Sequence, residues 1–184
     1  MTNSNLVKME TSSEGLCDLL AYILAIVNEH QRFMEAKNLV VVGLCGGGFY
    51  TVMNIFISNE VIARSEWLLF LYQLLGGTIL AAFISLLSLF PRMKNNSRIT
   101  FSNRRPQEIN YLFFGHIALL DEESFVEKLK EVADIREKTT SFHLQYANQI
   151  IVNSRIAAYK ACMFKAALIV LIFSLNPIPL FLSC

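Results

Sequence analysis

Two long stretches of the sequence contain no Asp, Glu, His, Lys or Arg. They are residues 38–59 and residues 67–91. Each is longer than the roughly 20 apolar residues that a helix needs to cross about 30 Å of hydrocarbon. The connection between them is too short for another element, which favours a helical hairpin. We therefore predict a hairpin over residues 38–91, with membrane-spanning helices over about 38–58 and 67–90.

The carboxyl-terminal part of the chain is also strongly apolar. We predict a third transmembrane helix over residues 161–184, in which the sequence Asn176-Pro177-Ile178-Pro179 should kink or end the helix. The composition agrees, since 54% of the residues are hydrophobic and 17% are charged, against about 45–50% and about 25% in soluble domains. The predicted fold class is an all-α membrane protein with about three transmembrane helices.

The rest of the chain divides into three parts. Residues 1–15 form a polar amino-terminal tail, and residues 16–37 read as a cytosolic or interfacial helix that runs on into the first span. Residues 92–160 form a small module, in which 99–103 and 109–119 suggest a short β-hairpin from their β-branched and aromatic content. Asp121 should cap a helix whose pattern continues to Lys138. A last helix should run from about Phe142 into the third span.

Basic residues predict the orientation, because Lys and Arg are retained on the cytoplasmic side of a membrane. A run of them without any acid follows the second span, whereas the short loop after the first span has a single arginine. The amino terminus and residues 92–160 are therefore predicted to be cytoplasmic. The run consists of Arg92, Lys94, Arg98, Arg104 and Arg105.

Asn153 interrupts an apolar stripe of the last helix, which passes through Tyr146, Ile150, Ala157 and Phe164 at helical spacing. A buried amide needs hydrogen-bond partners, because leaving it unpaired costs about 1–3 kcal/mol. Asn153 therefore either fixes the register of packed helices or contacts a polar ligand.

Two arginines stand just before predicted spans, and each is followed five residues later by a lysine. They are Arg32 before Lys37, and Arg155 before Lys160. Basic residues at this position commonly anchor a helix at the membrane surface. The alternative is that Arg32 and Arg155 bind an anionic ligand, since a guanidinium group suits phosphate.

The module offers further candidate ligand-binding residues. Arg104 and Arg105 suit either phosphate or anionic lipid headgroups. Phe113, Phe114 and His116 offer rings on which a base can stack, or else they belong to a strand packed on the helices.

Small residues recur at helical spacing in both spans of the hairpin. Gly43 and Gly47 are four residues apart in the first span, and Gly77 and Ala81 are four apart in the second. Such faces allow helices to approach closely in lipid. They serve packing within one chain or between chains of a homo-oligomer.

Catalysis finds no support in the sequence. His30, His116 and His143 are not spaced as ligands of one metal ion, and neither a nucleophile-elbow motif nor a phosphate-binding loop is present. A net charge of +1 gives no reason to expect nucleic acid as a partner. We expect no enzyme, no metal and no cofactor.

Four segments follow one another in the chain: NEHQRFMEAKNLVVVGLCGGG, SLFPRM, NYLFFGHIALLDEESFVEKLKE and HLQYANQIIVNSRIAAYKACMFKAAL. In this order they resemble the transmembrane effector family of bacterial Pycsar anti-phage systems. The resemblance covers about residues 20–175, and FFGHIALLDEESFVEKL is its most specific part. It implies an effector in the bacterial inner membrane that impairs membrane integrity when a cognate cyclase makes cyclic UMP or cyclic CMP.

The leading hypothesis is a non-enzymatic, oligomeric membrane effector that responds to such a nucleotide. Its ligand-binding residues would be drawn from Arg32, Arg104, Arg105, Phe114, His116, Asn153 and Arg155. One alternative is a membrane-anchored interaction subunit that recruits a cytosolic partner and forms no pore. A membrane-embedded enzyme is the other.

Overall fold

The computed structural model describes residues 3–58, 65–90 and 109–176. These residues form five helices: α1 (Asn3–Ile57), α2 (Ser65–Leu87), α3 (Phe114–Ile117), α4 (Glu122–Val132) and α5 (Ser141–Ser174). Within the described residues, three segments are long and apolar enough to cross a membrane: Gly15–Ile57, Trp67–Leu87 and Ser141–Ser174. The predicted helical class with three span-capable helices is confirmed.

The two longest helices confirm the predicted continuity. α1 runs without a break from the polar amino-terminal residues through the first apolar run, and its sequence contains no proline. α5 covers 34 residues and contains neither glycine nor proline. It ends at Ser174, before the Asn176-Pro177 pair, as expected for a segment in which proline cannot continue the helix.

The predicted β-hairpin is not found in the part of the chain that the structure describes. Its first arm, 99–103, lies outside that part, and 109–119 contains the short helix α3 instead of a strand. The Asn110 side chain accepts a hydrogen bond of 2.9 Å from the Leu112 N–H, which closes a turn at the start of the expected strand. Burial then follows helical spacing, at Phe114, Ile117 and Ala118.

α4 begins as the sequence predicts. The Asp121 carboxylate accepts a hydrogen bond of 3.1 Å from the Ser124 N–H, and Glu122 and Glu123 add negative charge to the first turn. The helix ends at Val132, earlier than the predicted Lys138.

A tight turn stops α4. Asp134 has a positive φ of 50°, and two hydrogen bonds close the turn around it. The Ile135 N–H donates to the Lys130 carbonyl at 2.9 Å and the Asp134 N–H to the Glu131 carbonyl at 3.4 Å. This pattern is a Schellman motif, which normally places glycine at the left-handed position.

The chain divides into two compact units. The first consists of Met1–Arg32 and Arg92–Tyr159, and the second of Phe33–Pro91 and Lys160–Cys184. In the first unit, an apolar stripe of α1 packs against α3, α4 and α5. The buried core consists of Leu16, Leu20, Ile23, Val27, Ile117, Phe125, Val126, Leu129, Ala147, Ile150 and Ile151.

The second unit has a small core and an apolar exterior. Val41 and Cys45 of α1 pack with Ala81 of α2 and Ala167 of α5. Many large apolar side chains point outward, as lipid-facing helices require. Among them are Leu44, Tyr50, Phe83, Ile169 and Ile172.

Candidate functional site

Four rings form a continuous cluster around α3 in the first unit. The His30 ring of α1 lies 5.4 Å from Phe114, Phe114 lies 4.8 Å from Phe113, and Phe113 lies 5.1 Å from His116. The His30 Nδ1 atom donates to the Ile26 carbonyl at 2.8 Å. The tilted contact between His30 and Phe114 therefore packs α3 against α1.

Exposure differs sharply between the two phenylalanines. Phe114 is only 8% exposed, whereas Phe113 is 43% exposed. A β-carbon added at Gly115 would lie 2.6 Å from the Phe113 Cε1 atom, so the glycine makes room for the Phe113 ring. A base that stacks on this cluster would therefore meet Phe113, which is the more exposed of the two phenylalanine rings.

His116 is also engaged by the turn that precedes α3. Its Nδ1 atom accepts a hydrogen bond of 3.0 Å from the Asn110 N–H. A neutral imidazole that accepts at Nδ1 carries its proton at Nε2. His116 thus presents a donor at its other ring nitrogen.

Arg155 holds the turn after α3. Its Nε atom donates to the Ala118 carbonyl at 3.2 Å, and a terminal nitrogen donates to the Leu120 carbonyl at 3.3 Å. A cavity of about 350 Å³ beside it is lined by Arg155, Ile151, Asp121, Glu122 and Glu123. Three carboxyl groups and one guanidinium group make this cavity unfavourable for a phosphate.

A hydrogen bond favours the ionised form of one of the acids that line this cavity. The Ser124 backbone N–H donates to the Asp121 carboxylate, and this hydrogen bond lowers the pKa of Asp121 below its ordinary value. The predicted role of Arg155 in binding an anion therefore gains no support from this cavity.

Asn153 has partners on both sides of its amide. Its Nδ2 atom donates to the Asn28 Oδ1 atom of α1 at 2.8 Å, and its Oδ1 atom accepts from the Gln149 Nε2 atom at 3.1 Å. This chain of three amides joins α5 to α1 within the first unit. The geometry favours the register-fixing interpretation of Asn153 over ligand contact.

The structure brings the remaining candidates together only in part. Phe114 and His116 share α3, and Arg155 binds the turn that follows. Arg32 is exposed on α1. Arg104 and Arg105 lie outside the described residues, so their predicted role stays a prediction.

A second polar cluster in the first unit was not predicted. His143, which is 3% exposed, lies 3.3 Å from the Cys17 Sγ atom and 3.8 Å from Glu137 Oε1, both measured from its Nε2 atom. The spacing of Thr140 and His143 was a signal that sequence reasoning missed, because Thr-x-x-Glu is a helix-start motif and histidine here replaces the glutamate. In the described ranges, no three His, Cys, Asp or Glu side chains are placed to hold a metal ion.

A third polar cluster lies in the second unit, where α1 meets α5. The Lys160 ammonium group donates to the Glu35 carboxylate. The buried Asn38 amide donates to the Met34 carbonyl at 2.9 Å and to the Lys160 carbonyl at 3.3 Å. The Lys37 ammonium group lies 4.3 Å from the centre of the Phe33 ring. The contacts of Lys160 with Glu35 and Asn38 join residues that are far apart in the sequence, so spacing could not predict them.

The two small-residue faces behave differently. A β-carbon at Gly77 would overlap Ser174 of α5, with the Ser174 Oγ atom 2.8 Å away, and Ala81 is fully buried. Gly43 and Gly47 have no atom within 4 Å of the position of an added β-carbon. The Gly77 and Ala81 face therefore serves packing within the chain, and the Gly43 and Gly47 face is open.

Three span-capable helices, joined to a compact helical unit, define the class as a helical membrane protein. A model of the Pycsar effector protein domain matches residues 19–184, and the chain belongs to this family. The family consists of non-catalytic effectors of anti-phage defence. Searches of curated proteins and of solved structures found no match.

Proposed function

We propose that this chain is the effector that acts on the membrane in a cyclic-nucleotide defence system of bacteria. A cognate cyclase would supply cyclic UMP or cyclic CMP, and the effector would oligomerise or rearrange to impair inner-membrane integrity. The observation that carries the proposal is the family match over residues 19–184, which covers nearly all of the first span-capable segment and the whole of the other two.

The open glycine face of α1 supports a homo-oligomer. Gly43 and Gly47 are exposed, and a helix of a second copy can approach closely where side chains are absent. Oligomers that pack through this face would leave Gly77 and Ala81 in their place against α5. Two pairs of small residues with the same spacing thus have different roles: Gly43 and Gly47 would pack between chains, and Gly77 and Ala81 pack within the chain.

The first unit is the proposed sensing part, on the cytoplasmic side together with the amino terminus. The exposed Phe113 ring would stack on the base, and the exposed Arg32 would pair with the phosphate. Arg104 and Arg105 remain further candidates from the sequence for binding the phosphate. A nucleotide shifts the protein toward the active arrangement only by its higher affinity for that arrangement.

Membrane measurements test the effect. We expect cells that carry the chain and its cognate cyclase to lose membrane potential and to admit an excluded dye after phage infection. Cells without the cyclase serve as the control, and Gly43→Leu with Gly47→Leu should abolish the effect. An intact membrane in infected cells with both proteins would refute the proposed function.

Thermal unfolding tests the ligand. A nucleotide at about 100 times its dissociation constant should stabilise the detergent-solubilised protein by about 2.7 kcal/mol. Arg32→Ala should remove this stabilisation, whereas Arg136→Ala should keep it, because Arg136 lies at the surface in an ion pair of 3.9 Å with the exposed Asp134. Equal responses of both variants would exclude Arg32 from the site.

Exposed apolar residues around α3 favour a second candidate, a membrane-anchored subunit that recruits a protein. Leu112, Phe113 and Leu119 are all exposed. In that case, Leu112→Ser with Leu119→Ser should abolish capture of the partner from infected cells. Membrane potential should not change in cells with the unaltered chain.

A further inference from the structure

The start of α5 is closed by an imidazole where a carboxylate is usual. The His143 backbone N–H faces the Thr140 Oγ1 atom at 3.4 Å, and the Thr140 N–H faces the His143 Nδ1 atom at 3.3 Å. Because these two bonds are reciprocal and the residues are three apart, they form a capping box. The usual third residue after the cap is Glu or Gln, which has no charge change near neutral pH in this role.

This arrangement exists in only one protonation state of the ring. The Nδ1 atom accepts a hydrogen bond only while it carries no proton, so the imidazole is neutral and its proton is at Nε2. That Nε2 proton points to the Cys17 Sγ atom at 3.3 Å and to Glu137 Oε1 at 3.8 Å. Both ring nitrogens are thus engaged, on opposite sides of the ring.

Titratable and charged groups face His143 from three elements. Cys17 belongs to α1, and Glu137 belongs to the connection between α4 and α5. Lys130 of α4 donates from its Nζ atom to Thr139 Oγ1 at 3.3 Å, next to the cap. The Glu137 Oε2 atom is buried and, among the described residues, has no hydrogen-bond partner.

We propose that His143 is a proton-operated switch of the α5 cap. A proton added at Nδ1 places two N–H donors against each other, so the bond from the Thr140 N–H is lost and the Thr140 Oγ1 contact alone is left to hold the cap. The imidazolium ring then turns toward Glu137, where the buried Oε2 atom accepts an N–H. A positive charge at the start of a helix is also opposed by the helix dipole.

The direction of the pH dependence follows from which protonation state of His143 closes the capping box. The neutral ring closes the capping box, so the cap is formed at higher pH and opens at lower pH, when Nδ1 takes up a proton. The switch depends on contacts within the first unit alone, and it does not require the proposed nucleotide response.

Hydrogen exchange on the full chain in detergent micelles tests the switch. We expect amide protection in the first turn of α5 to fall about tenfold between about pH 7.5 and about pH 5.5, after correction for intrinsic exchange. His143→Gln keeps the capping box without a titrating ring, and its protection should not change. Equal falls in both proteins, or no fall in the unaltered chain, would overturn the proposal.

A second pair of variants tests the switch even if His143→Gln does not fold. Glu137→Gln removes the charged acceptor, so the cap should stay closed to lower pH than in the unaltered chain. Glu127→Gln is the matched control, because Glu127 is exposed on α4 and should leave the midpoint in place. If Glu137→Gln leaves the pH midpoint of cap opening unchanged, the Glu137 carboxyl group does not accept a hydrogen bond from the protonated ring. That result would refute the switch.

Discussion

The Lys160 ammonium group and the Glu35 carboxylate form an ion pair that joins α5 to α1 in the second unit. The Lys160 side chain is 8% exposed, and the Glu35 side chain is 39% exposed. The pair is therefore asymmetric, since the cation has lost nearly all of its water and the anion has kept part of it.

This asymmetry predicts unequal costs for the two halves of the pair. Glu35→Met leaves a buried cation without its carboxylate and should lower the free energy of unfolding by about 3 kcal/mol, while Lys160→Met should cost less. The double variant should cost less than the sum of the single variants by about 1–3 kcal/mol. Unfolding in detergent measures all three, and strictly additive costs would contradict the pairing.

Gly77→Ala should destabilise the second unit, because the added β-carbon overlaps Ser174. Overpacking of this kind typically costs about 1–3 kcal/mol. Gly43→Ala is the matched control, since its β-carbon meets no atom within 4 Å and alanine favours a helix, so this change should not destabilise the single chain. Equal thermal stabilities for the two variants would mean that α2 and α5 do not cross closely at this point.

Asp134→Gly should stabilise the first unit. Asp134 adopts a φ of 50° at the end of α4, a conformation that is strained for side chains and free of strain for glycine. We expect a gain of about 0.5–1 kcal/mol in the free energy of unfolding. Asp134→Ala should lose stability in the same assay, and a loss in both variants would refute the Schellman turn.

Asp121 should make the first unit sensitive to acid. Its folded-state pKa is lowered mainly by the Ser124 N–H, so its stabilising effect is present above the unfolded-state value of about 4 and is lost as pH falls through the folded-state value. Asp121→Ala should cost about 1 kcal/mol at neutral pH. Asp121→Asn should keep the cap and lose this part of the acid dependence, as pH-dependent unfolding would show.

The spans were predictable because absence of charge over a long run is a property of the sequence alone. The Asp121 cap and the end of α5 before Pro177 were also predictable, because each depends on residues that are close in the sequence. The segment 109–119 was not predictable in this way. Its aromatic and β-branched content suits a strand, while the Asn110 turn and the burial of Phe114 and Ile117 favour the short helix.

The candidate site shows the same division. Asn153 was correctly recognised as a polar residue in need of partners, but its partner Asn28 lies on a distant part of the chain. The Glu35 and Lys160 pair has the same long-range origin, and nothing local marks it. Sequence spacing also treated Gly43 and Gly77 alike, because packing partners from α5 are not encoded in the spacing.

The close crossing of α2 and α5 also limits the mutations that the gene can accept. At codon 77, every change that alters the residue adds at least a β-carbon where Ser174 already lies, so a library selected for function should recover glycine alone. Codons 43 and 47 should accept alanine and serine if their face meets only lipid. If codons 43 and 47 also reject alanine and serine, the selection would indicate that a neighbouring subunit packs against this face.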